Sequence, residues 1–193
     1  MAAGESSRLG KAKQLLHFHG KTLLHHIIEE AIKSEADPVV VVTGAFASEI
    51  VASIANTKAV IVENNNWKSG MASGIVAGIQ KLKDLKSNPE KIILAVCDQP
   101  FVTATLFRQL EEKQAESGKQ IVACAYADTL GTPVLFTHKY FGQLLQLKGD
   151  SGAKKILGTF REDVAAVEFP QGAIDIDTLE DYERLMDQQQ HVL

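Results

Sequence analysis

Val39-Val40-Val41-Val42-Thr43-Gly44 decides the fold class. An unbroken β-branched run without polar alternation reads as a strand buried on both faces, and Gly44 ends it. Upstream, Thr22 offers an N-cap. Leu23, Leu24, Ile27, Ile28, Ala31 and Ile32 then fall on one helical face, with Glu29, Glu30 and Lys33 on the other. Leu15 to Gly20 is a short connection ending in a turn, and Pro38 stops the helix. Downstream, the pattern predicts a helix from Ala47 to about Ala55, a second buried strand at Ala59–Val62 and a polar loop over Asn64–Gly70. A helix from Met71 to about Leu82 carries Gly74 and Gly78 on one face, and Lys91–Val96 is a third apolar strand. Thr103 opens a helix toward Ser117. Strands alternating with helices imply a mostly parallel sheet with helices on both sides.

The second half is less regular. Strands are expected at Ile121–Ala125 and Val134–Phe136, helices around Tyr140–Leu147 and Ala153–Leu157, and a last strand at Val164–Phe169. Thr178 caps a final amphipathic helix, with Asp181 at the capping-box position. No internal repeat or low-complexity segment interrupts the chain, so residues 1–193 read as one α/β domain.

Ahead of this framework stands Ala2-Ala3-Gly4-Glu5-Ser6-Ser7-Arg8-Leu9-Gly10-Lys11-Ala12-Lys13, rich in small residues, hydroxyls and cations. Gly4 and Gly10 allow main-chain N–H groups to converge on one point, Ser6 and Ser7 add donors, and Arg8, Lys11 and Lys13 add charge. Such a loop suits a polyphosphate, against the plainer reading of a flexible basic arm. It is not a P-loop, because five residues separate Gly4 from Gly10 and Ala12 follows Lys11, and the dinucleotide fingerprint is absent.

Composition narrows the function. A net charge of −4 argues against a nucleic-acid surface. No apolar run approaches the roughly 20 residues that span a membrane, and no signal peptide is visible. Cys97 and Cys124 sit in strand-like runs and read as reduced core thiols of a cytoplasmic protein.

Ligands of open α/β sheets bind outside the carboxyl ends of the strands. Asp98 stands at such an end and could hold Mg²⁺ or cap the helix that follows. In Asp175-Ile176-Asp177, alternation puts both acids on one side, where one could complete a metal site and the other cap the last helix. Gly149-Asp150-Ser151-Gly152 resembles the nucleophile region of trypsin-like proteases, but it lies between helices and reads as a turn. His17, His19, His25 and His26 lack any H-E-x-x-H pairing and do not read as a metal cluster. Gly70, Gly74 and Gly78 lack the long apolar segment that a membrane dimer motif requires.

Together these stretches resemble the molybdenum cofactor cytidylyltransferases, within the MobA-like nucleotidyltransferases. The resemblance runs through the opening loop with Lys13 and Leu15-Leu16, Thr43-Gly44, Asn64-x-x-Trp67-x-x-Gly70-Met71 and Cys97-Asp98-Gln99-Pro100. It continues through Gly131-Thr132-Pro133-Val134-Leu135-Phe136, Gly149-Asp150-x-Gly152-Ala153 and Asp175-Ile176-Asp177-Thr178-x-Glu180-Asp181-Tyr182. The resemblance implies a three-layer α/β/α Rossmann-like domain that joins CTP to Mo-molybdopterin, giving molybdopterin cytosine dinucleotide and pyrophosphate.

It also implies the roles. Arg8 and Lys13 would neutralise the triphosphate. Asp98 would hold Mg²⁺ (Mn²⁺ as the alternative), with Asp175 as second ligand and Asp177 in reserve. Ala2, Ala3, Gly4 and Ser6 would face the nucleotide, with Thr43, Gly44, Gly70 and Ser73 near base and ribose. Gly131–Phe136 and Gly149–Lys155 would line the acceptor side, Lys154 and Lys155 serving its phosphate. A molybdoenzyme or its maturation chaperone would receive the product. Ala2-Ala3-Gly4, Asp98-Gln99-Pro100 and the Asp175–Asp181 ending favour CTP over GTP. The alternatives are guanylyl transfer, cytidylyl transfer to another phosphorylated acceptor, and a non-catalytic cofactor carrier.

Two departures stand out. Position 74 is Gly where relatives often carry Ser. Relatives also begin with a buried strand before the loop, so Met1 is expected to take that strand's last apolar position, with the first strand missing before it.

Overall fold

The computed structural model describes residues 1–4, 12–85, 88–176 and 178–190. It opens with a two-stranded hairpin, β1 (His17–Phe18) and β2 (Lys21–Thr22), turned at His19 and Gly20, both at positive φ. Sequence reading expected only a connection here; hydrogen-bonded pairing across a tight turn makes it a small ribbon. α1 (Leu23–Lys33) follows, its first turn capped by Thr22 Oγ1, which accepts from the His25 amide at 3.1 Å. Then come β3 (Val40–Thr43), α2 (Ala47–Ser53), β4 (Val60–Glu63), α3 (Met71–Asp84), β5 (Lys91–Leu94) and α4 (Ala104–Ser117). The chain closes with β6 (Ile121–Tyr126), β7 (Thr129–Thr137), α5 (Phe141–Leu145), α6 (Ala153–Thr159), β8 (Val164–Glu168) and α7 (Leu179–Gln190).

β7 is longer than its apolar segment suggested, running from Thr129 rather than Val134. The cause is pairing on both sides: β5 and β6 both run antiparallel to it, and Ala127 and Asp128, both at positive φ, turn β6 tightly into it. α5 is shorter than expected, one five-residue helix. The fold remains the mainly parallel α/β arrangement expected. β3 and β4 are parallel, β6 and β8 are parallel, and β7 is the strand that runs against its neighbours in the order β5-β7-β6-β8.

Alternation along β6 builds the three layers. Val122 and Cys124 pack with α1, α2 and α4, through Leu24, Ile28, Ile50, Leu106, Phe107 and Leu110. Ile121 and Ala123 pack the other way, with Ile75 and Ile79 of α3, Leu144 of α5 and Ile156 and Leu157 of α6. A third cluster joins Leu16, Phe18 and Leu23 to Ile176 and Leu185, so α7 clasps the N-terminal hairpin. Tyr182 reinforces this by donating its hydroxyl to the His17 carbonyl at 2.9 Å. Thr178 and Asp181 form the expected reciprocal cap of α7: Thr178 N donates to Asp181 Oδ2 at 2.9 Å and Asp181 N to Thr178 Oγ1 at 3.2 Å.

The chain start lies between β3 and β5. Ala2 N donates to Val42 O at 2.9 Å, and the Met1 amine donates to Ala95 O at 2.8 Å. Gly74 lies against Met1: a Cβ there would sit 2.5 Å from the Met1 Cε, the far end of a flexible side chain that can turn aside.

Candidate active site

Four residues beyond the end of β5 stands Asp98, on the carboxyl side of that strand. Lys13 Nζ donates to Asp98 Oδ2 at 2.5 Å, and the two side chains are only 16% and 18% exposed. Lys13 stands in a short 3₁₀ turn, Lys13–Leu15, which closes the N-terminal loop. The loop and the strand end, far apart in sequence, therefore share one ion pair. Partial burial makes it consequential, because a pair held partly away from water is screened less than one on the surface.

Gln14, next to Lys13, is 1% exposed and organises the loop entrance. Its Nε2 donates to Ala2 O at 3.0 Å and to Gly4 O at 3.1 Å. Sequence reading missed this residue, since a lone glutamine among small and apolar neighbours carries no periodic signal. Arg8 and Ser6, assigned to the same loop by resemblance, lie outside the described residues, as does Asp177.

Thr43 is fully buried, with its hydroxyl directed at Val62 O and its carbonyl accepting from Asn64 N at 2.9 Å, so both serve the strand pairing. Gly44 is a close-approach position: a Cβ would lie 2.8 Å from Ala3 O and 2.7 Å from the Trp67 Cβ. Asn64, 5% exposed, ties β4 to α3 by donating to Ser73 Oγ at 2.8 Å, and Ser73 donates in turn to Gly70 O at 2.8 Å. Gly70 adopts φ +99° directly against Gly149, and Ala72 N donates to Gly149 O at 3.1 Å. The Lys148–Gly152 turn is thereby fixed over the first turn of α3. Lys154 and Lys155 are exposed on α6.

On the other side, Ile176 N donates to Asp98 O at 3.1 Å, bringing the exposed Asp175 alongside. Gln99, 4% exposed, donates to Gly172 O at 3.0 Å and accepts from Thr132 Oγ1 at 3.2 Å. It locks β7 and the 170–173 turn beneath Asp98. Thr103, not Asp98, caps α4, accepting from Leu106 N at 3.2 Å.

Cys97, beside Asp98, is no nucleophile. Burial, reinforced by the Asp98 charge, pushes its thiol up to about 12. The histidines do not gather: among the described residues no group of three or more His, Cys, Asp or Glu could hold a metal. His26 instead bonds the Val102 carbonyl at 3.0 Å. Among the described residues no helix is long and apolar enough to cross a membrane.

The arrangement offers a cation and a carboxylate at one mouth, a loop of small residues and backbone groups beside them, and no reactive thiol. That is equipment for holding a polyphosphate rather than for covalent catalysis. The two carboxylates are hard oxygen donors of the kind Mg²⁺ and Mn²⁺ prefer when phosphates complete the shell.

Comparison with known proteins agrees. The chain is 34% identical over 112 residues to nicotine blue oxidoreductase of Paenarthrobacter nicotinovorans, covering 57% of this chain and 52% of that protein. It is 23% identical over 182 residues to the molybdenum cofactor cytidylyltransferase of Escherichia coli, covering 94% of this chain and 90% of the other. The structure of Rv0371c from Mycobacterium tuberculosis in complex with manganese superposes with a TM-score of 0.75 at 28% identity, covering 96% of this chain and 94% of that one. The chain thus spans about half the length of the first of these curated relatives and nearly all of the second. Residues 1–165 match the model of the MobA-like NTP transferase domain. With its α/β/α layers and its loop-to-strand-end ion pair, the chain belongs to the MobA-like NTP transferase family.

Proposed function

We infer that this nucleotidyltransferase moves CMP from CTP to the terminal phosphate of Mo-molybdopterin, releasing pyrophosphate. The observation that carries the reading is the Lys13–Asp98 pair, which joins the N-terminal loop to the end of β5. Similarity to the Escherichia coli cytidylyltransferase along 94% of the chain supports the acceptor.

In this reaction an acceptor phosphate oxygen attacks the α-phosphorus of CTP. A new P–O bond forms while the bond to the β-phosphate oxygen breaks, and pyrophosphate leaves with the electron pair. The protein's task is positioning and charge neutralisation. Lys13 exchanges Asp98 for phosphate oxygens and stabilises the leaving pyrophosphate, with Arg8 and Ser6 completing the loop. Ala2, Ala3 and Gly4 present backbone groups held in place by Gln14. Asp98 and Asp175 would hold Mg²⁺ or Mn²⁺, which supplies further charge neutralisation on the phosphates. Gly44, Gly70 and Ser73 shape the nucleoside side, and Lys154 and Lys155 face the acceptor phosphate.

The test is pyrophosphate release with molybdopterin as acceptor and either CTP or GTP as donor. CTP-dependent release is expected, and Lys13→Ala or Asp98→Ala should lower it at least about 100-fold. Preference for GTP would move the protein to guanylyl transfer, and release unaffected by both substitutions would overturn the mechanism.

A further inference from the structure

Asp98 and Asp175, the two carboxylates assigned to the metal, come from segments far apart in the chain, and neither lies in a helix or strand that would fix their separation. Their separation is set instead by the dipeptide Asp98-Gln99, which grips the later segment on both sides of Asp175. On one side Ile176 N donates to Asp98 O at 3.1 Å, and on the other Gln99 Nε2 donates to Gly172 O at 3.0 Å. Asp175 therefore hangs between two anchors that belong to one dipeptide.

Gln99 can hold its anchor because both the oxygen and the nitrogen of its amide are engaged. Thr132 Oγ1 donates to Oε1 at 3.2 Å, and with the oxygen committed there, Nε2 points at Gly172. The side chain is 4% exposed, so losing either bond leaves a buried polar atom unpaired. Gly172 is held by a second contact as well. A Cβ there would lie 2.5 Å from Tyr126 Cδ1 and 2.6 Å from Phe169 Cδ1, and these two rings meet edge to face with centroids 6.3 Å apart. Tyr126 also occupies the space beside Gly131, where a Cβ would overlap its hydroxyl. Gln99 and Tyr126 thus bear on the same two stretches, at 131–132 and at 172.

We infer that Gln99 is a positioning residue for the divalent metal: it acts through Asp98 and Asp175, setting the spacing at which both can reach one ion. Carboxylates of a Mg²⁺ site must bring their oxygens to about 2.1 Å from the ion, so loosening the segment that carries one ligand weakens binding of the ion. Side chains that orient metal ligands in this way are worth about 10–100-fold in metal affinity. Gln99 has this role only if Asp98 and Asp175 hold the metal, as proposed above.

The test titrates Mn²⁺ into the 193-residue chain with CTP present, following bound ion by electron paramagnetic resonance and, separately, the Mn²⁺ dependence of pyrophosphate release. Gln99→Met keeps the length of the side chain and removes both bonds. It should weaken Mn²⁺ binding about 10-fold and raise the Mn²⁺ needed for half-maximal turnover equally, with kcat at saturating Mn²⁺ nearly unchanged. Thr132→Val removes one of the two bonds, should weaken Mn²⁺ binding about threefold, and carries the test if Gln99→Met does not fold. Exchange of the Ile176 amide should quicken in both. Ile79→Val, a truncation in the core against α3, is the destabilised control and should move none of these. Unchanged Mn²⁺ binding in Gln99→Met, a fall in kcat without a change in Mn²⁺ requirement, or an equal shift in Ile79→Val overturns the positioning role. Asp98→Asn separates the two readings. If it leaves Mn²⁺ binding unchanged, the metal assignment itself falls; if it abolishes binding while Gln99→Met does not weaken it, only the role of Gln99 falls.

Discussion

Gly70→Ala puts the close packing around the candidate site to a quantitative test. Gly70 has φ +99° and ψ 177°, a region that only glycine occupies without strain of order 1–3 kcal/mol. A Cβ added there would lie 2.3 Å from Gly149 C, 2.4 Å from Gly149 O and 2.7 Å from Asp150 N, all backbone atoms that cannot rotate away. Forcing such an overlap costs a further 1–3 kcal/mol or so. The expected loss is about 4 kcal/mol, or about 10 °C in thermal midpoint for a domain of this size.

Gly149→Ala is the matched control. Its φ is +60° but a Cβ would meet nothing within 4 Å, so only the left-handed strain of about 1–2 kcal/mol applies. Gly158→Ala, inside α6 with nothing within 4 Å, should stabilise by about 0.5–1 kcal/mol. Urea unfolding of all three, with unchanged slopes, measures the ranking. If Gly70→Ala costs no more than Gly149→Ala, the contact between α3 and the Lys148–Gly152 turn is not held as described.

Asp163 gives a pH-dependent case: burial alone would raise its pKa, but hydrogen bonds from Lys139, Tyr140 and the Gln120 amide outweigh burial and hold it below the usual carboxylate value. Its contribution is therefore present above the unfolded-state pKa near about 3.9 and is lost as pH falls through the lower folded value; Asp163→Asn should cost about 1 kcal/mol at pH 7, and less as the pH falls through that range, measured by urea melts across pH. Burial pushes the Cys97 and Cys124 thiols up to about 12, so a thiol reagent at pH 8 should modify neither until urea unfolds the chain. Thr103→Ala removes the cap on α4 and should cost about 1 kcal/mol without changing nucleotide affinity, checked by denaturation and by titration with CTP.

The layers were legible because burial on both faces leaves a plain mark. The valine run at 39–42 admits no solvent face, and Thr22, Thr103 and Thr178 all punctuate helices as their side chains dictate. Thr129–Thr132 read as loop because its residues are small and polar, and only pairing with β6 makes it strand. The site was legible in a different way. Nothing local links Lys13 to Asp98; the resemblance brought them together, and the ion pair gives that link a physical form. Gln14 escaped both routes, because its role depends on two carbonyls, Ala2 O and Gly4 O, that no side-chain pattern announces. Thr43 shows the converse: its place in a motif suggested ligand contact, whereas its hydroxyl serves the strand.

Ile176 is fully buried against Leu16, Phe18 and Leu23, and its amide holds the Asp98 carbonyl. The first hairpin, the middle of the chain and its last quarter therefore converge on one residue. On a ribosome, which delivers the chain from its N-terminus, that convergence waits until β8 has emerged. The loop residues are made first and acquire their floor last. A nascent or C-terminally shortened chain should be a sheet without a working mouth, and nucleotide binding should appear as a property of the finished molecule alone.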